Sequence, residues 1–381
     1  MITKNRALLI IGIFLIVFIF WMLQTDCGKK EEKVVKIGVV TALTGPVAPY
    51  GDNVRDGCLL ATDEINLKGG IGGHKIELFI EDEEASPQKA VSAVQKLITT
   101  DKVQVIIGPV ISSGFLAAAP VAEKRKVVLF SPSGMADNIR DAGDFIFRNR
   151  ASASQEAGGL AKYIVAKTEL SKMVILRSNS DYAISFANVC RKVFEQGERA
   201  VLVEESFEQG ATDFRTQLAK IKVTKPDAIL IIGIPVELGN MLKQIKELGF
   251  KVPIFSNSID SPQIFQISHG TEEGLVFSTT FYEPEMDNSS LKEFDRKFRE
   301  RFGRESHFFA ANAYDAIYIL KNVLEKKGYT GEKIRDGLYS LKGFKGVTGN
   351  IEFDKKGDLK NPTIVIKQIS HGKFNIVEQI K

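Results

Sequence analysis

Past its N-terminal end, the chain opens on a short continuous apolar run, Val34-Val35-Lys36-Ile37-Gly38-Val39-Val40, the pattern of a strand buried on both faces. A Gly45-Pro46 turn follows. The next segment, Asn53 to Leu67, places Val54, Cys58, Ala61 and Ile65 at helical spacing and stops at Gly69-Gly70 before a second strand, Lys75 to Glu81. Together they form one βαβ unit.

The alternation continues, which is the pattern of an open parallel sheet with helices on both faces. Helix Ser86 to Thr100 opens on Ser-Pro and turns Val91, Val94, Leu97 and Ile98 inward. Strands are expected at Val103 to Gly108, Val127 to Ser131 and Phe145 to Asn149. A second series begins with a helix from Ser154 to Lys167, then strand Lys172 to Arg177, helix Ala183 to Gln196 and strand Ala200 to Glu204. Helix Asp213 to Lys222, strand Ala228 to Gly233, helix Val236 to Leu248 and strands Val252 to Ser256 and Leu275 to Phe281 complete it. Two helices follow, Ser290 to Phe302 and Phe309 to Lys327; the Phe stripe of the first reads as core packing. The tail, with strands Asn350 to Phe353, Thr363 to Ile369 and Lys373 to Gln379, reads as an antiparallel meander.

With 381 residues, 44% of them hydrophobic and 26% charged, the chain can bury two cores, which excludes disordered and fibrous classes. A net charge of +4, with acidic and basic residues interspersed, predicts no nucleic-acid partner. Cys58 and Cys190 fall on the apolar faces of helices in different halves and read as buried thiols, so no disulfide framework is expected.

Residues 1–27 read as a targeting or anchoring element. Lys4 and Arg6 precede an apolar run from Ala7 to Leu23, and Cys27 follows. A Cys at this place resembles a lipoprotein signal, in which the Cys carries lipid, although Asp26 stands where that pattern wants a small residue. The alternative is an uncleaved signal anchor, about 26 Å long at 1.5 Å per residue, slightly short of a bilayer core of about 30 Å. Both predict a membrane-tethered protein on the periplasmic or extracellular face.

In open α/β sheets, ligands gather at the carboxyl ends of strands, where helix N-termini present unpaired N–H groups. Here two successive strands are followed by hydroxyl-rich turns, Ile111-Ser112-Ser113-Gly114 and Ser131-Pro132-Ser133-Gly134. Either turn alone would read as a helix cap. Tyr50 and Tyr182, at equivalent places in the two series, would by themselves read as rim residues. Catalytic machinery is not visible: there is no Gly-x-Ser-x-Gly, no His-Glu-x-x-His, no phosphate cradle, and the four histidines are scattered. No enzyme activity, cofactor or metal is expected.

The segments Leu43-Thr44-Gly45-Pro46-Val47-Ala48-Pro49-Tyr50-Gly51 and Asp63-Glu64-Ile65-Asn66-Leu67-Lys68-Gly69-Gly70-Ile71-Gly72-Gly73 resemble the opening of leucine/isoleucine/valine-type periplasmic binding proteins, as does Glu352 to Asp358 near the end. The resemblance implies a two-lobed type I periplasmic-binding-protein fold, each lobe a mostly parallel sheet flanked by helices. It implies a three-segment hinge, near Asn149 to Ala151, Phe281 to Glu283 and Thr348 to Ile351, giving lobe 1 as 34–149 plus 282–347 and lobe 2 as 150–281 plus 348–381. It assigns Ser112, Ser113, Ser133 and Gly134 to a ligand carboxylate, and Tyr50 and Tyr182 to the walls.

Three positions depart from the family. Ser258 stands where those proteins hold an ammonium group with an acid, Met135 replaces a threonine of the clasp, and Ile234 replaces a tyrosine. An ammonium buried without a carboxylate is costly, unless Asp260 supplies the charge. The expected ligand is a small polar molecule, whether amino-acid-like, a small carboxylate or an amide, and the three departures favour a small carboxylate or amide with an apolar or aromatic body over an ordinary aliphatic α-amino acid. The expected role is solute binding for an ABC importer, with a permease as partner; the rival is a ligand-sensing receptor subunit that signals through a membrane partner.

Overall fold

The computed structural model describes residues 34–284 and 289–380. The anchoring segment and Cys27 lie outside them. No helix among the described residues is long and apolar enough to cross a membrane.

Five parallel strands, β1 (Val35–Thr41), β2 (Ile76–Asp82), β3 (Val105–Ile107), β4 (Val128–Ser131) and β5 (Ile146–Arg148), form the first sheet in the order β2-β1-β3-β4-β5. They alternate with helices α1 (Ala48–Leu67), α2 (Pro87–Thr99) and α3 (Ser112–Arg125). Helix α1 begins five residues before the expected Asn53, because Pro49 fits a first turn whose N–H needs no partner. Of the inward positions expected on α2, Val94 and Leu97 are buried, together with Ala90 and Ala93, while Val91 and Ile98 pack only at the margin.

The second series builds α4 (Ala153–Lys167), β6 (Lys172–Ser178), α5 (Asp181–Gln196), β7 (Ala200–Phe207), α6 (Arg215–Val223), β8 (Ala228–Ile232), α7 (Pro235–Glu247), β9 (Ile254–Ser256), α8 (Gln263–Ser268) and β10 (Val276–Thr280). Its five strands run parallel. The chain then returns to the first sheet through α9 (Ser289–Phe302), α10 (Phe308–Lys327) and α11 (Gly331–Tyr339). Helix α10 packs so closely on α1 that a Cβ on Gly57 would lie 2.1 Å from the Ala310 carbonyl oxygen. The Phe stripe of α9 is buried there: Phe294 and Phe298 lie in the same core as α1 and α10.

The tail departs from the expected meander. A short hairpin, β11 (Phe344–Gly346) with β12 (Gly349–Ile351), stays with the first lobe, and Phe353 beyond it packs edge-on against Phe130 and Phe147. Leu359 also belongs to that core. The chain reaches the second sheet only at β13 (Ile364–Ser370), antiparallel to β10, followed by β14 (Lys373–Ile380) on the outer edge. The third crossing thus lies at 360–363, after the expected Thr348 to Ile351. The pull is apolar: Ile351, Phe353 and Leu359 are buried in the first core and would be left uncovered by an earlier crossing.

The other two crossings run through 149–152 and 281–284. Arg148, at the base of the first, makes a two-pronged ion pair with Asp358 at the base of the third, Nε to Oδ1 at 2.7 Å and Nη2 to Oδ2 at 2.8 Å. Phe281 N–H donates to the Thr363 carbonyl, joining the second and third.

Candidate functional site

Between the lobes lies a cavity of about 120 Å³. An apolar cavity of about 150 Å³ holds a benzene, so the space is that of a single-ring or amino-acid-sized molecule. Of the ten ligand-site residues expected, nine line it: Tyr50, Ser112, Ser113, Ser133, Met135, Tyr182, Ile234, Ser258 and Asp260. Gly134 does not. Its N–H is turned back to the Ser131 hydroxyl at 2.6 Å, where it closes the turn after β4.

On the first lobe, the cavity meets the N-terminus of α3, whose opening N–H groups have no acceptor within the helix. The Ser112 hydroxyl oxygen accepts from the N–H groups of Met135 and Ala136, at 3.0 and 3.1 Å. With both lone pairs occupied, only its O–H remains for a ligand. Ser133 is spent on the Val110 carbonyl at 2.9 Å, so its part is to hold the two turns together. Behind them lies Glu83, wholly buried, whose carboxylate accepts the Val110 N–H at 2.7 Å. Burial pushes Glu83 up to about 8.

Tyr50 lies in the first turn of α1, rather than in the loop before it, and Tyr182 in the first turn of α5. Tyr50 stacks on His307 and leans on Phe309. Burial, helped by the charges of Arg150 and Lys367, drives the His307 imidazole down to about 4 against the opposing pull of Asp260, so it is neutral at physiological pH. The Tyr182 hydroxyl is buried beside Asn257 without completing a hydrogen bond.

The charges come from the second lobe and the crossing segments. Arg150, in the first crossing, is only 1% exposed. Its Nη2 donates to Glu156 Oε1 at 3.2 Å, its guanidinium plane lies 4.0 Å from the centre of the Phe308 ring, and its Nε and Nη1 have no partner. Glu156 also accepts from the Thr280 hydroxyl at 2.9 Å, and burial raises it to about 7 despite Arg150.

Asp260 does lie at the cavity. It accepts from the Ser258 hydroxyl at 3.0 Å and sits 3.6 Å from Lys367, which pairs at 2.5 Å with Glu283. Burial works to raise Asp260, but Lys367, His307, Ser258 and Arg150 outweigh it and hold the carboxyl below its ordinary range.

Sequence reasoning missed Arg150, Asn257, His307, Phe308 and Phe309, all of which line the cavity. The signal that could have found Arg150 is Arg148-Asn149-Arg150, two arginines flanking an asparagine where the chain leaves the first sheet, a density of charge that a buried crossing holds only with partners.

A family model for periplasmic binding proteins matches residues 34–373. The chain belongs to that family. Among its relatives, a leucine-, isoleucine-, valine-, threonine- and alanine-binding protein of Pseudomonas aeruginosa is 29% identical over 331 residues, 86% of this chain and 87% of that one. A leucine-binding protein of Thermotoga maritima superposes with a TM-score of 0.85 at 28% identity, covering 91% of this chain and 99% of that one. A solute-binding protein of R. palustris, solved with benzoate, shares the fold at a TM-score of 0.82 and 19% identity, over 91% and 96% of the two chains. Periplasmic binding proteins are an extracytoplasmic solute-binding family, and the two-lobed α/β architecture described above is theirs.

Proposed function

We propose that this periplasmic binding protein captures a small organic carboxylate with an apolar or aromatic body and presents it to an ABC permease from a membrane tether. The observation that carries the reading is Arg150: a buried cation with two donors unspent, beside a single-ring cavity whose apolar surfaces include Phe308, Phe309, Met135 and Ile234. A guanidinium gives a carboxylate charge-assisted hydrogen bonds, for which Arg150 Nε and Nη1 are open, and the Ser112 O–H supplies a further donor. Closure then follows from contacts the ligand makes with both lobes: Arg150 at the hinge, the α3 N-terminus on one side and Tyr182 on the other.

One observation favours a second reading. Asp260 faces the cavity, and relatives at 26 to 29% identity are named for branched-chain amino acids, so an amino acid could place its ammonium there. Against it, Asp260 is already engaged by Lys367, Ser258 and Thr279, and both Lys367 and Arg150 would repel an incoming ammonium.

A thermal-shift screen of the full chain in mild detergent separates the two. Aromatic and short aliphatic carboxylates are expected to raise the midpoint by several degrees, since a ligand at 100 times its Kd adds about 2.7 kcal/mol. Leucine, isoleucine or valine binding at micromolar Kd, and lost in Asp260→Asn, would replace the carboxylate reading with the amino-acid one.

A further inference from the structure

Glu156 is not on the cavity wall, yet it touches the one cation that is. Its Oε1 receives both the Thr280 hydroxyl and Arg150 Nη2, while Oε2 is buried with no partner. The charged groups around it come from every neighbouring element: Arg150 from the first crossing, Asp260 from the loop after β9, and Lys367 from β13, which is tied to Asp260 and to Glu283 of the second crossing. Tyr182 faces it from α5 and stays protonated, and His307, across the cavity, stays neutral.

Count the fixed charges. Arg150 and Lys367 balance Asp260 and Glu283, so the cluster is neutral when Glu156 is neutral. A bound carboxylate brings it to one negative charge, and an ionised Glu156 would make that two, both drawing on the same guanidinium in a buried space.

We infer that Glu156 acts through Arg150 as the residue that sets the ligand charge the cleft accepts: a carboxylate is held only with Glu156 protonated, so each capture of an anion above neutral pH takes up one proton. This inference rests on the reading of Arg150 as the carboxylate partner. The proton goes to the bare Oε2, and Glu156 then no longer competes for the Arg150 charge. A cleft built this way binds its anion best in mildly acidic surroundings and lets go more readily as the pH rises. Burial places the free Glu156 near pH 7, where this linkage has most effect.

The test is calorimetry on the full chain in mild detergent, with benzoate and isovalerate as probes, at pH 6 and pH 8. If only the protonated form binds, the competent fraction falls about tenfold over that interval for a group titrating near 7, and affinity falls with it. At pH 8, wild type is expected to take up close to one proton per ligand, read from the dependence of the heat on buffer ionisation. Glu156→Gln, which keeps the hydrogen bonds and cannot ionise, is expected to bind equally at both pH values and about tenfold more tightly than wild type at pH 8. Binding that is abolished by Arg150→Met yet flat with pH in wild type would overturn this inference alone. Failure of both probes to bind, or binding that Arg150→Met leaves intact, would overturn the carboxylate reading and this inference with it.

Discussion

The two sides of the cleft are built from different chemistry. The first lobe contributes hydroxyls, helix N–H groups and aromatic rings, with its acid, Glu83, hidden behind the turn it holds. The second lobe and the crossings contribute the charges, Arg150, Glu156, Asp260 and Lys367. A neutral wall of dipoles fits many anions about equally well, whereas a buried cation coupled to an acid discriminates by charge. The difference teaches that selectivity here is written at the hinge, while the first lobe supplies the seat.

The sharpest way to break this contrast is Arg150→Met. Two charge-assisted hydrogen bonds of about 1.5 to 3 kcal/mol each put the loss at roughly a hundredfold or more in carboxylate affinity. An unchanged Kd by calorimetry would move selectivity back to the first lobe.

Ser112→Ala probes the seat instead. It strands the Met135 and Ala136 N–H groups, so it should cost about 1 to 3 kcal/mol of stability, a few degrees in the thermal midpoint, besides whatever affinity its O–H provides. If affinity fell while the midpoint stayed put, the hydroxyl would be a ligand group only.

The smallest effect is expected from Tyr182→Phe. Its hydroxyl has no completed hydrogen bond, so a role toward ligand shows as a three- to tenfold weaker Kd, about 0.5 to 1.5 kcal/mol. Tighter or equal binding would make Tyr182 an apolar wall.

The contrast also maps onto what the chain discloses unaided. The first-lobe seat was legible in part because its pieces are local: a strand, a serine-rich turn and a helix start adjoin in sequence, while Tyr50 and Ser112 were assigned to it only through the family resemblance. The charged side was legible only in Asp260. Arg150 and Glu156 are six residues apart, and what makes them a site is burial under Phe308, more than 150 positions later, which no local pattern carries. The late third crossing escaped for the same reason. A three-residue strand such as Gly349–Ile351 fits either sheet, and the choice is made by Phe353 meeting Phe130 and Phe147.

The ion pair between Arg148 and Asp358 has a practical consequence. By clamping the bases of two crossings to the first lobe, it confines bending to the few residues beyond the clamp, as a door turns on its pin and not on its frame. Beyond the clamp, α3 and α5 approach each other, and Ser185 Oγ accepts the Asp137 N–H at 3.2 Å between the lobes. A fluorophore carried there by a cysteine at Ser185 would therefore feel capture as a change of surroundings, turning the protein into an optical reporter of its own ligand.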